Sequence, residues 1–420
     1  MSGGTWRFPG VVRLMSGGAI AETADWMLLV ALPLFVLGVT GSPLITSIVF
    51  VLQAVLTVAA APLAGLLIDR TDPWHLMGGT AALQVIAVLP LLFVDSAADL
   101  WIVSLVAVVQ SVLGAIIEPA RPSVAAALVP SDHVAPVNQL LGIGSGLARL
   151  VGAPLGGLAL GLGGVDALVV ATAGAYAVAS VVLFARAKRR PDAATPVSDD
   201  TAALRTLEVD AAGAPARATF FGELGSGLAI VAGDRVLRRL MLVAVLMSLA
   251  QGLFSILFVL FVPQVLGGGD VEIGVLRGIQ AIGALVAGVG LLGVVGRVAP
   301  ARLAAASILG FGVLSLLIWN LPALTTWFPL YVALFALVGA PGLLAMTAML
   351  TIVDRETPAG HRGRVTSLLF AALTALQAVG TLVGGFIGTG PAFTVSLQVQ
   401  GALYLLAGLV ALTLGRRGSA

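Results

Sequence analysis

Five ionisable side chains interrupt otherwise apolar stretches in the amino-terminal part of the chain: Glu22, Asp25, Glu118, Arg121 and Arg149. Charge inside a long apolar segment is costly to bury, so each is a functional candidate. The chemistry open to this set is proton exchange and charge pairing. Thiolate chemistry is excluded because there is no cysteine, and His75, His133 and His361 lie far apart, without the spacing of a zinc site. Three acids face two bases, which leaves one carboxylate over. A carboxylate without a counter-charge in low dielectric readily takes up a proton, the property that proton coupling requires. Asp25 and Glu118 lead as coupling groups, with Glu22 the third and Arg121 and Arg149 as charge partners. A fully paired structural network is the other reading, and the residue types leave it open.

Spacing brings these groups to one depth. Asp25 lies twelve residues beyond Arg13, or ~18 Å at ~1.5 Å per helical residue. Glu118 lies twelve residues before Pro130 and Arg149 thirteen after Pro136, hence ~18 and ~20 Å in. Glu22 sits one turn below Asp25, and Arg121 one turn below Glu118. Arg277 falls near the outer end of its segment, which predicts pairing with Glu272 or reaching to the surface. The three histidines fall in turns on the basic side, away from any proton relay at this depth.

The elements that must position these groups are membrane spans. Hydrophobic residues make up 59% and charged residues 10% of 420, a composition that a soluble chain of this length does not sustain. Gly is frequent, at 52 residues, which suits close helix packing in lipid. A net charge of +2 without a long basic patch gives no sign of nucleic acid, which is not expected as a partner. The first ten residues lack the features of a cleaved signal, so the first apolar segment is expected to be a retained anchor. Segments of about 20 apolar residues, broken at Gly, Pro and charge clusters, predict spans at 14–39, 44–68, 75–94, 100–126, 137–162 and 167–186. A second set follows at 238–263, 273–296, 302–320, 327–352, 365–388 and 394–414. The fold class is thus an all-α membrane protein of twelve transmembrane helices. Lys and Arg outside the spans cluster on one side, which predicts both termini in the cytoplasm.

The chain also matches itself. At an offset of 228, Pro130 falls on Pro358, His133 on His361, and Gly156-Gly157 on Gly384-Gly385; at 227, Gln53-Ala54 falls on Gln280-Ala281. Two parallel six-helix bundles follow, 1–190 and 236–420. Between them, 191–235 comprises a polar linker (191–217) and a short helix around Phe220 to Val231, either amphipathic and surface-lying or a lead-in to span seven. Such repeats place a substrate site between the halves. Glu118, Arg121 and Arg149 fall on Met346, Met349 and Gln377. Coupling chemistry is therefore expected in the first half, facing an apolar wall of Met346 and Met349 with Gln377.

Twelve spans in two halves resemble the major facilitator superfamily. Gly65, Asp69 and Arg70 resemble its loop motif, which implies a latch between helices; Asp72, Pro73 and Trp74 stand where its basic tail would be. Gly152, Pro154, Gly156 and Gly157 are similar to the exporter motif of span five, with altered spacing; ordinary helix packing is the alternative. Glu118-Pro119-Ala120, Leu32-Pro33-Leu34-Phe35-Val36 and Gly363-Arg364-Val365 after Pro358 resemble bacterial drug and macrolide efflux and siderophore exporter subfamilies. The resemblance implies a secondary active exporter of amphipathic small molecules by proton antiport, with multidrug resistance as a role. It implies a monomer in the bacterial cytoplasmic (inner) membrane, with the proton gradient in place of a cofactor and no metal. Its partners are a small-molecule substrate, protons and the lipid bilayer. A siderophore exporter and a proton-symport nutrient importer are the alternatives within transport. An intramembrane enzyme would need a metal or nucleophile cluster, and a receptor or scaffold would not account for five buried charges.

Overall fold

The computed structural model describes residues 8–184, 220–294, 298–388, 390 and 392–415, and the regular structure among them is helical. In chain order the α-helices are α1 (Pro9–Thr40), α2 (Pro43–Arg70), α3 (Pro73–Val88), α4 (Leu100–Leu128), α5 (Ser131–Phe184) and α6 (Phe220–Gly233). They continue with α7 (Arg235–Phe261), α8 (Asp270–Val294), α9 (Pro300–Asn320), α10 (Phe328–Glu356), α11 (Arg362–Ile387) and α12 (Ala392–Ala411). Ten segments among the described residues are long and apolar enough to cross a membrane. One of them, His133–Phe184, has 52 residues, far more than the roughly 20 that one crossing needs. It is divided at Gly164, whose φ of 65° and ψ of −159° belong to glycine alone. The break expected between 162 and 167 falls there, giving two limbs, 131–163 and 165–184.

The turns follow from local chemistry. α1 stops at Gly41, left-handed at φ 61°, whose N–H returns to the Leu37 carbonyl. Ser42 then caps α2 and Pro43 opens it. Asp72 caps α3 by accepting from the Trp74 N–H, and Pro73 opens that helix. The residues that replace the basic tail of the loop motif are therefore the start of the next helix. Arg70 is exposed in the last turn of α2; the side chains of Gly65 and Asp69 lie outside the described residues, as does the linker 191–217. Helix α6 is distinct from α7, because Asp234 is extended and accepts from the Leu237 N–H as the cap of α7. It packs on α11, with Leu228 exposed and Val231 buried.

Small residues set the main helix contacts, and they do so twice. Gly152 and Gly156 on α5 meet Thr23, Trp26 and Met27 on α1, while Gly380 and Gly384 on α11 meet Leu249, Gly252 and Leu253 on α7. The glycines repeat at 228 and their partners at 226, so one packing device serves both halves. The next residue of each pair crosses between halves instead. Gly157 meets Asp270 and Gly274 on α8, and Gly385 meets Pro43 and Ser47 on α2. Both crossings lie toward the acidic end of the bundle, where the Asp95 to Asp99 and Glu272 turns stand. Pro154, which the second copy replaces with Leu382, rests on Gly274 and Gly278 of α8.

Candidate functional site

A cavity of about 800 Å³ lies between the halves. From the first half it is bounded by Glu22, Asp25 and Trp26 on α1, Gln53 and Thr57 on α2, and Tyr176 on α5. The second half supplies Ser255 and Phe258 on α7, Arg277 on α8, and Gln377 and Thr381 on α11. On α2 the lining begins at Phe50 and on α11 it ends at Thr381, each about one turn inside the contact between Gly385 and Ser47. That contact and the one at Gly157 therefore close the cavity toward the acidic end.

Asp25 and Glu22, one turn apart on α1, take different partners. Asp25 accepts two hydrogen bonds on Oδ1, from the Tyr176 hydroxyl at 2.6 Å and from Gln84 Nε2 at 3.1 Å. Gln110 Nε2 in turn donates to the Gln84 carbonyl at 3.2 Å. These donors are neutral, and no ion pair holds Asp25 among the described residues. Glu22 is held differently. Arg121 forms an ion pair with it through Nη1, and the Ser145 hydroxyl donates to the same oxygen at 2.8 Å. Arg121 Nη2 donates to the Gly18 carbonyl at 2.8 Å, so this triangle ties α1, α4 and α5 together.

Other expected site residues are distributed less simply. Glu118 lies in α4 one turn beyond Gly114, which lines the cavity; its side chain is outside the described residues. Arg149 reaches the level of Asp25, lying 4.9 Å over the Trp26 ring, but its hydrogen bond at 3.0 Å goes to Gln280 of the other half rather than to an acid. The expected Met wall is corrected. Helix α10 packs against α8 and α9, so Met349 is 1% exposed within the core and neither it nor Met346 reaches the cavity. Gln377 does line it. The facing wall mixes polar Ser255, Gln377 and Thr381 with apolar Phe258, Val259 and Ile273, and it carries Arg277, which was expected at the surface or on Glu272. Its guanidinium instead lies 5.5 Å from the Phe254 ring centroid beside the cavity, because Arg277 continues the stripe of cavity-lining Ile273 at i, i+4.

Gln84, Tyr176, Ser145 and Gln280 join the site as uncharged partners of these ionisable groups. Two signals were present. Gln84 is a lone amide in an apolar span, and Tyr176 falls on Tyr404 at the 228 offset.

Comparisons with known proteins agree with this architecture. The family profile described as the Major Facilitator Superfamily matches residues 14–304. The uncharacterized MFS-type transporter YfiS of Bacillus subtilis (strain 168) is 24% identical over 421 residues, covering 96% of this chain and 92% of that protein. Among solved structures, a bacterial homologue of the iron transporter ferroportin in an inward-facing state superposes with a TM-score of 0.75 at 16% identity, covering 97% of this chain and 99% of that one. A peptide transporter (POT) gives 0.71 at 17%, covering 96% and 93%. A D-xylose-proton symporter gives 0.69 at 12%, covering 96% and 97%. At these identities the structures speak for the fold alone.

Proposed function

Because the chain belongs to the Major Facilitator Superfamily, we propose that it is a proton-coupled secondary transporter that exports amphipathic small molecules by alternating access. Twelve spans result when α2 and the two limbs of α5 are each counted as one crossing. The basic end faces the cytoplasm with both termini, by the positive-inside rule, in the inner membrane of a bacterium, and the monomer is the working unit. Protease access to 191–217 from the periplasmic side would reverse that topology. On this reading the acidic end is outer, and the contacts at Gly157 and Gly385 are the outer seal.

The observation that carries the proposal is Asp25. It lines the central cavity and, among the described residues, is held by neutral donors alone, whereas Glu22 is consumed by Arg121. A carboxylate so placed can be charged or neutral without breaking an ion pair, and this is what a proton carrier needs. Export is supported by Pro154, the element of the span-five motif that the second half lacks, seated on α8 of the other half. Aromatic and aliphatic lining from Trp26, Phe50, Phe258 and Val259 suits apolar bodies. The test uses inverted membrane vesicles energised to be acidic inside. Antiport accumulates a dansyl amphipath in the vesicle and a protonophore discharges it; accumulation that ignores the protonophore sinks proton coupling.

Arg277 favours a second reading, proton symport. An anionic solute near Arg277 binds better beside a protonated Asp25 than beside a charged one, so proton and solute would load together. The same vesicles then expel the probe instead of accumulating it.

A further inference from the structure

Arg277 is the cation on the second-half wall of the cavity. Its guanidinium is steadied by the Phe254 ring, and it makes no ion pair among the described residues. One turn further along α8, Gln280 accepts from Arg149 of α5, so a second guanidinium stands close by. It too has no ion pair among the described residues. Two like charges in a low-dielectric wall repel unless an anion comes between or beside them. Gln377 and Thr381 of α11 and Ser255 of α7 line the same cavity with hydrogen-bonding groups, and apolar surface flanks them at Phe258 and Val259.

We infer that Arg277 anchors a subsite for an acidic group of the transported molecule, a carboxylate, sulfonate or phosphate, gripped by the planar fork of the guanidinium. Arg149, hydrogen-bonded to Gln280 one turn along α8, adds positive potential, and the Gln377 amide of α11 offers a donor on the same cavity wall. The substrate class is then amphipaths that carry an acidic head on an apolar body. The inference deepens the transport reading and rests on it only for the step of translocation, since binding is measurable in the absence of a gradient. An anionic phospholipid presents the same chemistry as a free acidic amphipath.

The test measures binding of dansyl undecanoate and of dansyl undecylamine, matched in chain length, to the full chain in phosphatidylcholine nanodiscs. Undecanoate is expected to bind, and Arg277→Gln to weaken it about tenfold or more, equivalent to ~1.4 kcal/mol. Arg277→Lys, which keeps the charge but loses the fork, is expected to lose less, and the amine is expected to be undiminished by Arg277→Gln. Displacement of undecanoate by added phosphatidylglycerol, lost in Arg277→Gln, supports the subsite and assigns it to lipid; its absence supports a free amphipath. Failure of undecanoate to bind the unaltered chain overturns the inference. So does equal binding in Arg277→Gln, or a parallel loss of both probes, which makes Arg277 structural. Binding that survives while vesicle transport shows no proton coupling leaves the subsite standing and removes the transport mechanism instead.

Discussion

Tyr176 donates to Asp25 at 2.6 Å, and 228 residues later Tyr404 donates to Gln251 at 2.8 Å. Asp25 and Gln251 each stand sixteen residues after the first residue of their helices, Pro9 and Arg235. The two halves therefore hold the same tyrosine contact between their first and sixth spans. Only one copy offers a carboxylate at this contact. On the proposed mechanism this contact is one of the places where a coupling half differs from a passive one, a carboxylate at Asp25 against the longer, neutral amide of Gln251.

Asp25→Asn should abolish uphill transport in energised vesicles and spare exchange down a gradient, since a permanently neutral side chain keeps the shape of the site. Glu118→Gln belongs in the same assay as the other mid-depth acid. Uphill transport that persists in both variants with an unaltered pH profile would make these charges structural.

Tyr176→Phe removes a donor that the charged form of Asp25 uses. Proton binding is then relatively favoured, and the transport–pH profile should move alkaline by about one unit, since one unit corresponds to ~1.4 kcal/mol. Tyr404→Phe is the internal control: Gln251 does not titrate, so the profile should stay in place. Identical shifts in the two variants would mean that tyrosine packing, and not the acid, sets the profile.

Arg121→Gln strips the counter-charge from Glu22 in a largely buried triangle with Ser145. Breaking such a pair costs about 3–5 kcal/mol, visible as a lower melting temperature in detergent. The double variant Glu22→Gln with Arg121→Gln should recover much of that loss. A double variant no more stable than Arg121→Gln alone would deny the pair its role as a tie between α1, α4 and α5.

The chain has no cysteine, so a single Thr57→Cys reporter on the cavity wall is unambiguous. Gly157→Ala or Gly385→Ala should raise its labelling by an impermeant maleimide added from outside, because an added methyl meets the Asp270 backbone in the first case and Ser47 and the Pro43 carbonyl in the second, all of the opposite half. Gly152→Ala crowds α1 within one half and should cost stability, about 1–3 kcal/mol for overpacking, without raising outside labelling. Unchanged labelling in both seal variants would remove these glycines from the gate.

Much of the arrangement was legible in the residues. Span positions, the break near Gly164 and the repeat all follow from apolar length and from Gly and Pro placement, which are local signals. The excess of acids over bases in the first half was legible as a count. How Glu22 and Asp25 divide their partners was not, because they differ by one turn of α1 and only tertiary packing brings Arg121 and Ser145 to one and Gln84 and Tyr176 to the other. Met349 misled because an offset in sequence fixes equivalent positions without fixing what lies beside the helix. Helix α10 is screened from the cavity by its neighbours. Arg277 misled for the converse reason: depth was read along the chain, whereas the face of α8 that it occupies decides its surroundings.

Gly164 bears on how the outer side can open. A single residue spans at most ~3.6 Å, so the limbs 131–163 and 165–184 are tethered at their outer tips with no slack in the chain. The two limbs therefore cannot part at that end. On the proposed topology, opening the contact at Gly157 on the first limb also displaces the near end of the limb that carries Tyr176, the donor to Asp25.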